Sequence, residues 1–179
     1  MNRAAFDHAV RAAGAVLGEN EILVIGSQAV HATISSDLPP EAERSVEADV
    51  AALEDPDERK ADLIDGSIGE ASMFHQTFGY YAQGVSQSTA VLPRGWQDRL
   101  VPYQSEATNG VVAWCLEIHD LWLSKAVAMR PKDVEFCRAL AERDLVAPKT
   151  LKHRLREIGG IADEERSQIA RLIDSLPNP

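Results

Sequence analysis

Glu47 and Asp49 lie in the stretch RSVEADVAAL, Arg44 to Leu53, where the two acids alternate with Val46, Ala48 and Val50. A period of two is that of a strand, so the acids share one face and the three apolar residues the other. Carboxylates at i and i+2 on one strand face lie about 7 Å apart, a spacing from which both can grip one or two Mg²⁺ ions. Upstream, in ILVIGSQAVHA, the apolar run Ile22 to Ile25 stops at Gly26-Ser27 and a different rhythm begins. A strand that ends in Gly-Ser and opens a helix leaves backbone N–H groups free at a positive helix end, with no glycine Cβ to hold a phosphate away. An anion cradle followed by a metal-gripping pair points to nucleotide chemistry. Each piece alone has a plainer reading: a Gly-Ser after a strand is commonly a turn, and E-x-D on a strand a wetted outer face.

These residues need elements to hold them. Phe6, Val10, Ala13 and Leu17 fall at helical spacing with Gly18 as a stop, which predicts an amphipathic first helix. Ile22 to Ile25 then reads as a buried strand, SQAVHATI as a short helix capped by Ser27, and SSDLPPEAERS as a polar loop. Val46 to Leu53 is the second strand, and EDPDERKADLIDGSIGEA turns into a helix. YYAQGVSQSTAVLP, punctuated by Gly84 and Pro93, predicts strand or hairpin pieces, and GVVAWCLE a further strand. From Ile118 the pattern is helical almost to the end. Pro131 and Pro148 suit first turns, Gly159-Gly160 a break, and Ile169, Leu172, Ile173 and Leu176 form an apolar stripe.

The chain of 179 residues, 45% hydrophobic, is long enough for one well-cored domain or a domain with a small helical appendage. Its net charge of -10 argues against generic binding to nucleic acid or to an anionic membrane. Cys115 and Cys137 form no C-x-x-C and have no histidine ligands beside them, which suits a reducing cytoplasm rather than a disulfide scaffold or a zinc site. The N-terminal stretch lacks a signal-peptide core, and no apolar run approaches the roughly 20 residues of a membrane span. A cytoplasmic protein is expected.

GSQAV followed by RSVEADV resembles the G-S…D-x-D signature of the polymerase-beta-type nucleotidyltransferase superfamily, in particular its AbiEii-like branch of bacterial toxin and toxin-related proteins. LEIHDLWLSKAVAMRPKDVEF resembles that branch's helical segment of a lysine, an arginine and a Lys-Asp pair, here Lys125, Arg130, Lys132 and Asp133. The resemblance runs from about Ile22 to Leu140. It implies an α+β fold, a mixed sheet flanked by helices, with a core over residues 1–116 and a helical part over 117–179 packed on it. It also implies that Gly26 and Ser27 hold nucleotide phosphates, that Glu47 and Asp49 hold Mg²⁺ or Mn²⁺, and that Lys125, with Arg130 and Lys132, reaches the triphosphate. The activity implied is NMP transfer from a nucleoside triphosphate to an RNA or protein hydroxyl, with a cognate antitoxin-like protein as a further partner. The alternative is a catalytically degenerate nucleotide-binding or interaction module.

This sequence departs from the family pattern in places. Glu47 stands where the family more often has Asp, the loop carrying Pro39-Pro40 is long, and Pro131 should split the Lys125 helix from that of Lys132 and Asp133. No third acid stands out among Asp65, Glu70, Glu117, Asp120 and Asp133. A second D-x-D, Asp55 and Asp57, has a proline between its acids and reads as a turn and helix start. His75 and the His119-Asp120 pair read as local polar clusters, Trp96 as a closure of the sheet's end, and KTLKHRLR, Lys149 to Arg156, as a solvated basic face or a place for nucleic acid.

Overall fold

The computed structural model describes residues 1–176. Helix α1 (Arg3–Leu17) begins at Asn2, whose side chain accepts from the Ala5 N–H, and ends at Gly18, whose φ of 67° is the left-handed value glycine takes without strain. Its Phe6, Ala9, Val10 and Ala13 are buried. Strand β1 (Glu21–Val24) leads into a tight 3-10 turn, Ser27–Ala32, whose cap position is Gly26 with no side-chain hydrogen bond. Ser27 is therefore the first residue of the turn and not its cap. A single helical turn, α2 (Pro40–Glu43), interrupts the segment predicted as loop; Pro40 sits where a missing N–H costs nothing.

Strand β2 (Glu47–Ala51) is shorter than predicted, and Val46 lies just outside it, 46% exposed. Helices α3 (Arg59–Ile68) and α4 (Met73–Phe78) precede β3 (Tyr81–Gly84). Beyond β3 the expected hairpin pieces are absent among the described residues: Gln87–Thr89 is a 3-10 turn and Pro93 makes one isolated bridge to Ile158. Strand β4 (Val101–Tyr103) was not predicted, because Pro102 masks it; at a sheet edge the missing N–H is tolerated. Strand β5 (Val112–Cys115) and helices α5 (Ile118–Ala128), α6 (Pro131–Glu142), α7 (Pro148–Leu155) and α8 (Asp163–Asp174) complete the chain.

The sheet order is β3-β2-β1-β5-β4. β1 runs antiparallel to β2 and parallel to β5, while β2 runs parallel to β3 and β4 antiparallel to β5. The fold is thus a mixed sheet flanked by helices with a helical C-terminal part. Central β1 is buried on both faces, which is why Ile22, Leu23 and Val24 read as a continuous apolar run. One apolar cluster joins Ile22, Val24 and Ala113 of the sheet to Trp122, Phe136, Leu151 and Ile173 of the helical half. The Trp122 indole N–H donates to the Cys137 carbonyl at 2.9 Å and ties α5 to α6. No described helix is long and apolar enough to cross a membrane.

A buried ionic knot fixes the start of α5. Asp120 is fully buried, with Arg99 Nε at 2.8 Å and Arg154 Nη1 at 3.0 Å on its two oxygens. Glu117 caps α5 by accepting the His119 N–H, and also meets Arg154 and His119 Nδ1. Burial pushes its carboxyl up, yet His119 and Arg154 outweigh burial and hold it at about 2. Because His119 Nε2 accepts the Ala147 N–H, its proton is on Nδ1 and is given to Glu117.

Candidate active site

Backbone pairing brings the two motifs together. The Ile25 N–H donates to the Asp49 carbonyl at 3.2 Å, so the residue after β1 lies against the middle of β2. Gly26 follows in an ordinary extended conformation, φ -93° and ψ -170°. Space, not backbone angle, requires glycine: a Cβ there would lie 2.7 Å from Asp49 Cβ, 2.5 Å from its Cγ and closer still to Oδ2. The Asp49 carboxyl thus occupies the room that a side chain at position 26 would need.

Glu47 and Asp49 project from the same face of β2 into one cleft, as the alternation predicts, with Ala48 and Val50 buried on the other. Burial pushes the Asp49 carboxyl up to about 7, reinforced by its hydrogen bond to Glu47 and by the negative charge there; Lys125 and Arg130 oppose the rise. Glu47 moves the other way, held below the usual range first by its hydrogen bond with Asp49 and then by the Tyr81 hydroxyl, Lys132 and Lys125. The two acids therefore hold one proton between them below about pH 7, and Asp49 is the one that carries it.

The cleft is about 660 Å³, and Gly26, Ser27, Glu47, Asp49, Lys125, Arg130 and Lys132 all line it. Every site residue singled out in the sequence is thus in one place. Lys125 sits in the last turn of α5; Met129, with φ 52°, then reverses the chain and Pro131 opens α6, so Lys125 and Lys132 belong to different helices. They still converge on the cleft. The lysine ion pairs are Lys60 with Glu19 and Lys152 with Asp174; among the described residues Lys125 and Lys132 make none. Arg130 is held by Asp133 through Nε–Oδ2 at 2.6 Å and Nη2–Oδ1 at 3.2 Å.

Of the five candidate third acids, only Asp133 reaches the cleft, and Arg130 engages it. Asp65 accepts from the Gly84 N–H at 2.6 Å and from Gln83 Nε2 at 2.8 Å, which fastens α3 to the outer edge of β3. Glu70 is exposed, and Glu117 and Asp120 belong to the ionic knot. Among the described residues no group of three or more His, Cys, Asp or Glu is arranged to hold a metal ion. The pair Glu47 and Asp49 still fits a hard dication, since Mg²⁺ is commonly held by one or two carboxylates with phosphates and water supplying the rest.

The remaining sequence features are structural. Asp55 accepts from the Lys60 and Ala61 N–H groups at the start of α3, and Asp57 pairs with Arg59 in solvent. Trp96 packs partly buried on the core. On α7, Arg154 turns inward to the knot, leaving Lys149, Lys152, His153 and Arg156 exposed. Tyr81 and Gln83 were missed in the sequence; they stand beside Glu47 and Asp49 only because β2 and β3 pair in parallel, Glu47 with Tyr81 and Asp49 with Gln83. The Tyr81 hydroxyl donates to Glu47 Oε2 at 3.0 Å.

In comparison with known families, the chain that brings this Gly-Ser turn and these two strand acids to one cleft matches a nucleotidyltransferase class. The chain belongs to the family described as Nucleotidyltransferase of unknown function (DUF6036), matched over residues 5–172. No curated protein and no solved structure matches it.

Proposed function

We propose that this protein is an Mg²⁺-dependent nucleotidyltransferase that binds a nucleoside triphosphate in the cleft and transfers NMP to a hydroxyl of RNA or protein. One observation carries the reading: Glu47 and Asp49 meet on one strand face, Asp49 directly against Gly26, in a cleft that also holds Lys125 and Lys132. In this role Glu47 and Asp49 hold Mg²⁺ or Mn²⁺, which when bound supplies neutralisation of phosphate charge and orientation of the nucleotide. Gly26 and Ser27 present backbone N–H groups, Lys125 and Lys132 bring uncommitted positive charge to the phosphates, and Arg130 stands beside them on Asp133. The Gly-Ser, E-x-D and Lys125-to-Asp133 motifs support kinship with the AbiEii-like branch and an antitoxin-like partner. The two free, buried cysteines suit a cytoplasmic setting.

The test is incubation with each labelled nucleoside triphosphate, Mg²⁺ or Mn²⁺, and total RNA. Label moves to RNA or to protein in the wild type and not in Asp49→Asn, which keeps the side-chain volume and removes a metal-holding charge. Transfer that survives Asp49→Asn overturns the metal role. A second reading, a nucleotide-binding module without transfer, is favoured by the lack of a third acid beside the pair among the described residues. Calorimetric binding of a triphosphate with no transfer under any condition would establish it.

A further inference from the structure

Glutamate at position 47 poses a mechanical problem for a metal site. Compared with aspartate it carries one more methylene and one more freely turning bond, so its carboxylate is harder to fix. The neighbourhood of Glu47 answers that problem through residues of another strand. Tyr81 stands directly across the parallel β2–β3 pair from Glu47, on the same face, and its hydroxyl donates to Glu47 Oε2 at 3.0 Å. The tyrosine is itself held, being only 6% exposed, with its ring against His75 at a centroid distance of 4.7 Å. His75 is fixed in turn: Nδ1 accepts the Ala71 N–H at 3.1 Å, and its own N–H caps onto Ser72 Oγ at 3.1 Å. A run of contacts thus leads from the start of α4 to the acid in the cleft.

We infer that Tyr81 is the positioning residue for Glu47, fixing the longer acid so that it can share a divalent cation with Asp49. The inference rests on the metal-dependent reading above. Tyr81 does not line the cleft and touches no phosphate; it acts only through Glu47. An aspartate at position 47 would be about 1.5 Å shorter, too short for that hydroxyl, so the tyrosine is of use only to a glutamate. Partners that orient metal ligands in this way are typically worth about tenfold or more in metal affinity.

The experiment uses the full chain and Mn²⁺ alone as probe, with affinity read by calorimetry and folding by thermal unfolding. Tyr81→Phe should bind Mn²⁺ about tenfold more weakly than the wild type. Glu47→Asp should also bind more weakly, and adding Tyr81→Phe to it should change nothing further. The inference is overturned if Tyr81→Phe binds as the wild type does, or if it loses the same factor in both backgrounds, which would mark a general structural effect. Should Tyr81→Phe fail to fold, His75→Leu decides, because it loosens the ring and keeps the hydroxyl: weaker binding supports the inference and unchanged binding overturns it. A wild type that binds no Mn²⁺ with or without nucleotide removes the metal-dependent reading as well, whereas Mn²⁺ binding indifferent to Tyr81 removes only the role given to the tyrosine.

Discussion

Gly26→Ala tests the central geometry with a single methyl group. Because φ is -93° and ψ -170°, the backbone accepts alanine without strain, so any effect comes from the methyl meeting Asp49. Turning the Asp49 side chain about χ1 relieves the overlaps with Oδ2 and Cγ. It leaves the methyl 2.7 Å from Asp49 Cβ, where rotation cannot help, and the Gly26 loop or β2 must also give way. Overpacking of this kind costs about 1–3 kcal/mol. A carboxylate displaced by about 1 Å or more from a productive position costs on the order of 10²-fold in rate. Denaturant unfolding should therefore show a loss of about 1–3 kcal/mol, and Mn²⁺ binding and label transfer should fall far more than that loss explains. In an Asp49→Ala background much of the overlap is gone, so the added cost of Gly26→Ala should shrink, a coupling that a double-mutant cycle measures. Gly26→Ala with wild-type stability and wild-type Mn²⁺ affinity would refute the contact between Gly26 and Asp49, and with it the site.

Titration gives a second check. The folded Asp49 pKa of about 7 lies above the usual value of about 3.9, so its contribution to stability is full below about pH 4 and is lost as pH rises through 7. A cation must displace the same proton, so Mn²⁺ affinity should climb between about pH 6 and 8 in the wild type and stay flat in Asp49→Asn; an equal climb in the variant assigns the proton elsewhere. Lys125→Ala should weaken triphosphate binding about 10- to 100-fold by calorimetry while leaving the unfolding midpoint in place, since the lysine makes no ion pair among the described residues. Asp120→Ala removes the carboxylate that joins Arg99 to Arg154, but Arg154 keeps Glu117 and Arg99 keeps the Arg94 carbonyl, so denaturant unfolding should show a loss of about 1–3 kcal/mol; a loss below about 0.5 kcal/mol would mean the knot does not hold the start of α5. Triphosphate affinity should drop sharply in EDTA, and equal affinity with and without Mg²⁺ would remove the metal from the binding step.

What was legible in the sequence was local. Gly26, Ser27, Glu47 and Asp49 announce themselves through the end of an apolar run and a period of two, and Lys125 through its place on a segment that is helical by spacing. Their convergence depends on pairing that no single stretch encodes: Glu47 reaches Tyr81 through the β2–β3 register, and Gly26 meets Asp49 through the antiparallel β1–β2 pair. The helical turn at Pro40 had a visible signal, a proline followed by Glu41 and Glu43 as first-turn acids, which the double proline obscured. Strand β4 had none, because Pro102 argues against a strand until its edge position is known. The acids that looked like third ligands were unreadable for the same reason: Asp65, Glu117 and Asp120 are taken by partners 18 to 37 positions away.

Charge placement explains how so acidic a chain could hold a triphosphate. The cleft is lined by five carboxylates, Glu41, Glu47, Asp49, Asp133 and Glu135, and four cations, Arg44, Lys125, Arg130 and Lys132, so its sum offers a polyanion no attraction. Its internal pairing changes the outcome. Asp133 is spent on Arg130, and Glu135 on Arg44 at 2.9 Å with Glu41 at 3.6 Å from the same guanidinium. The charges left without a partner are the two lysines on one side and the proton-sharing acids on the other. Phosphates drawn to Lys125 and Lys132 would face the Glu47–Asp49 pair, and repulsion there falls only when the pair carries a proton or a cation. A proton neutralises one charge of the pair, where a dication neutralises two. On the proposed reading the nucleotide and the metal therefore each lower the cost of binding the other, and the acidity that argues against generic polyanion binding becomes the source of metal dependence.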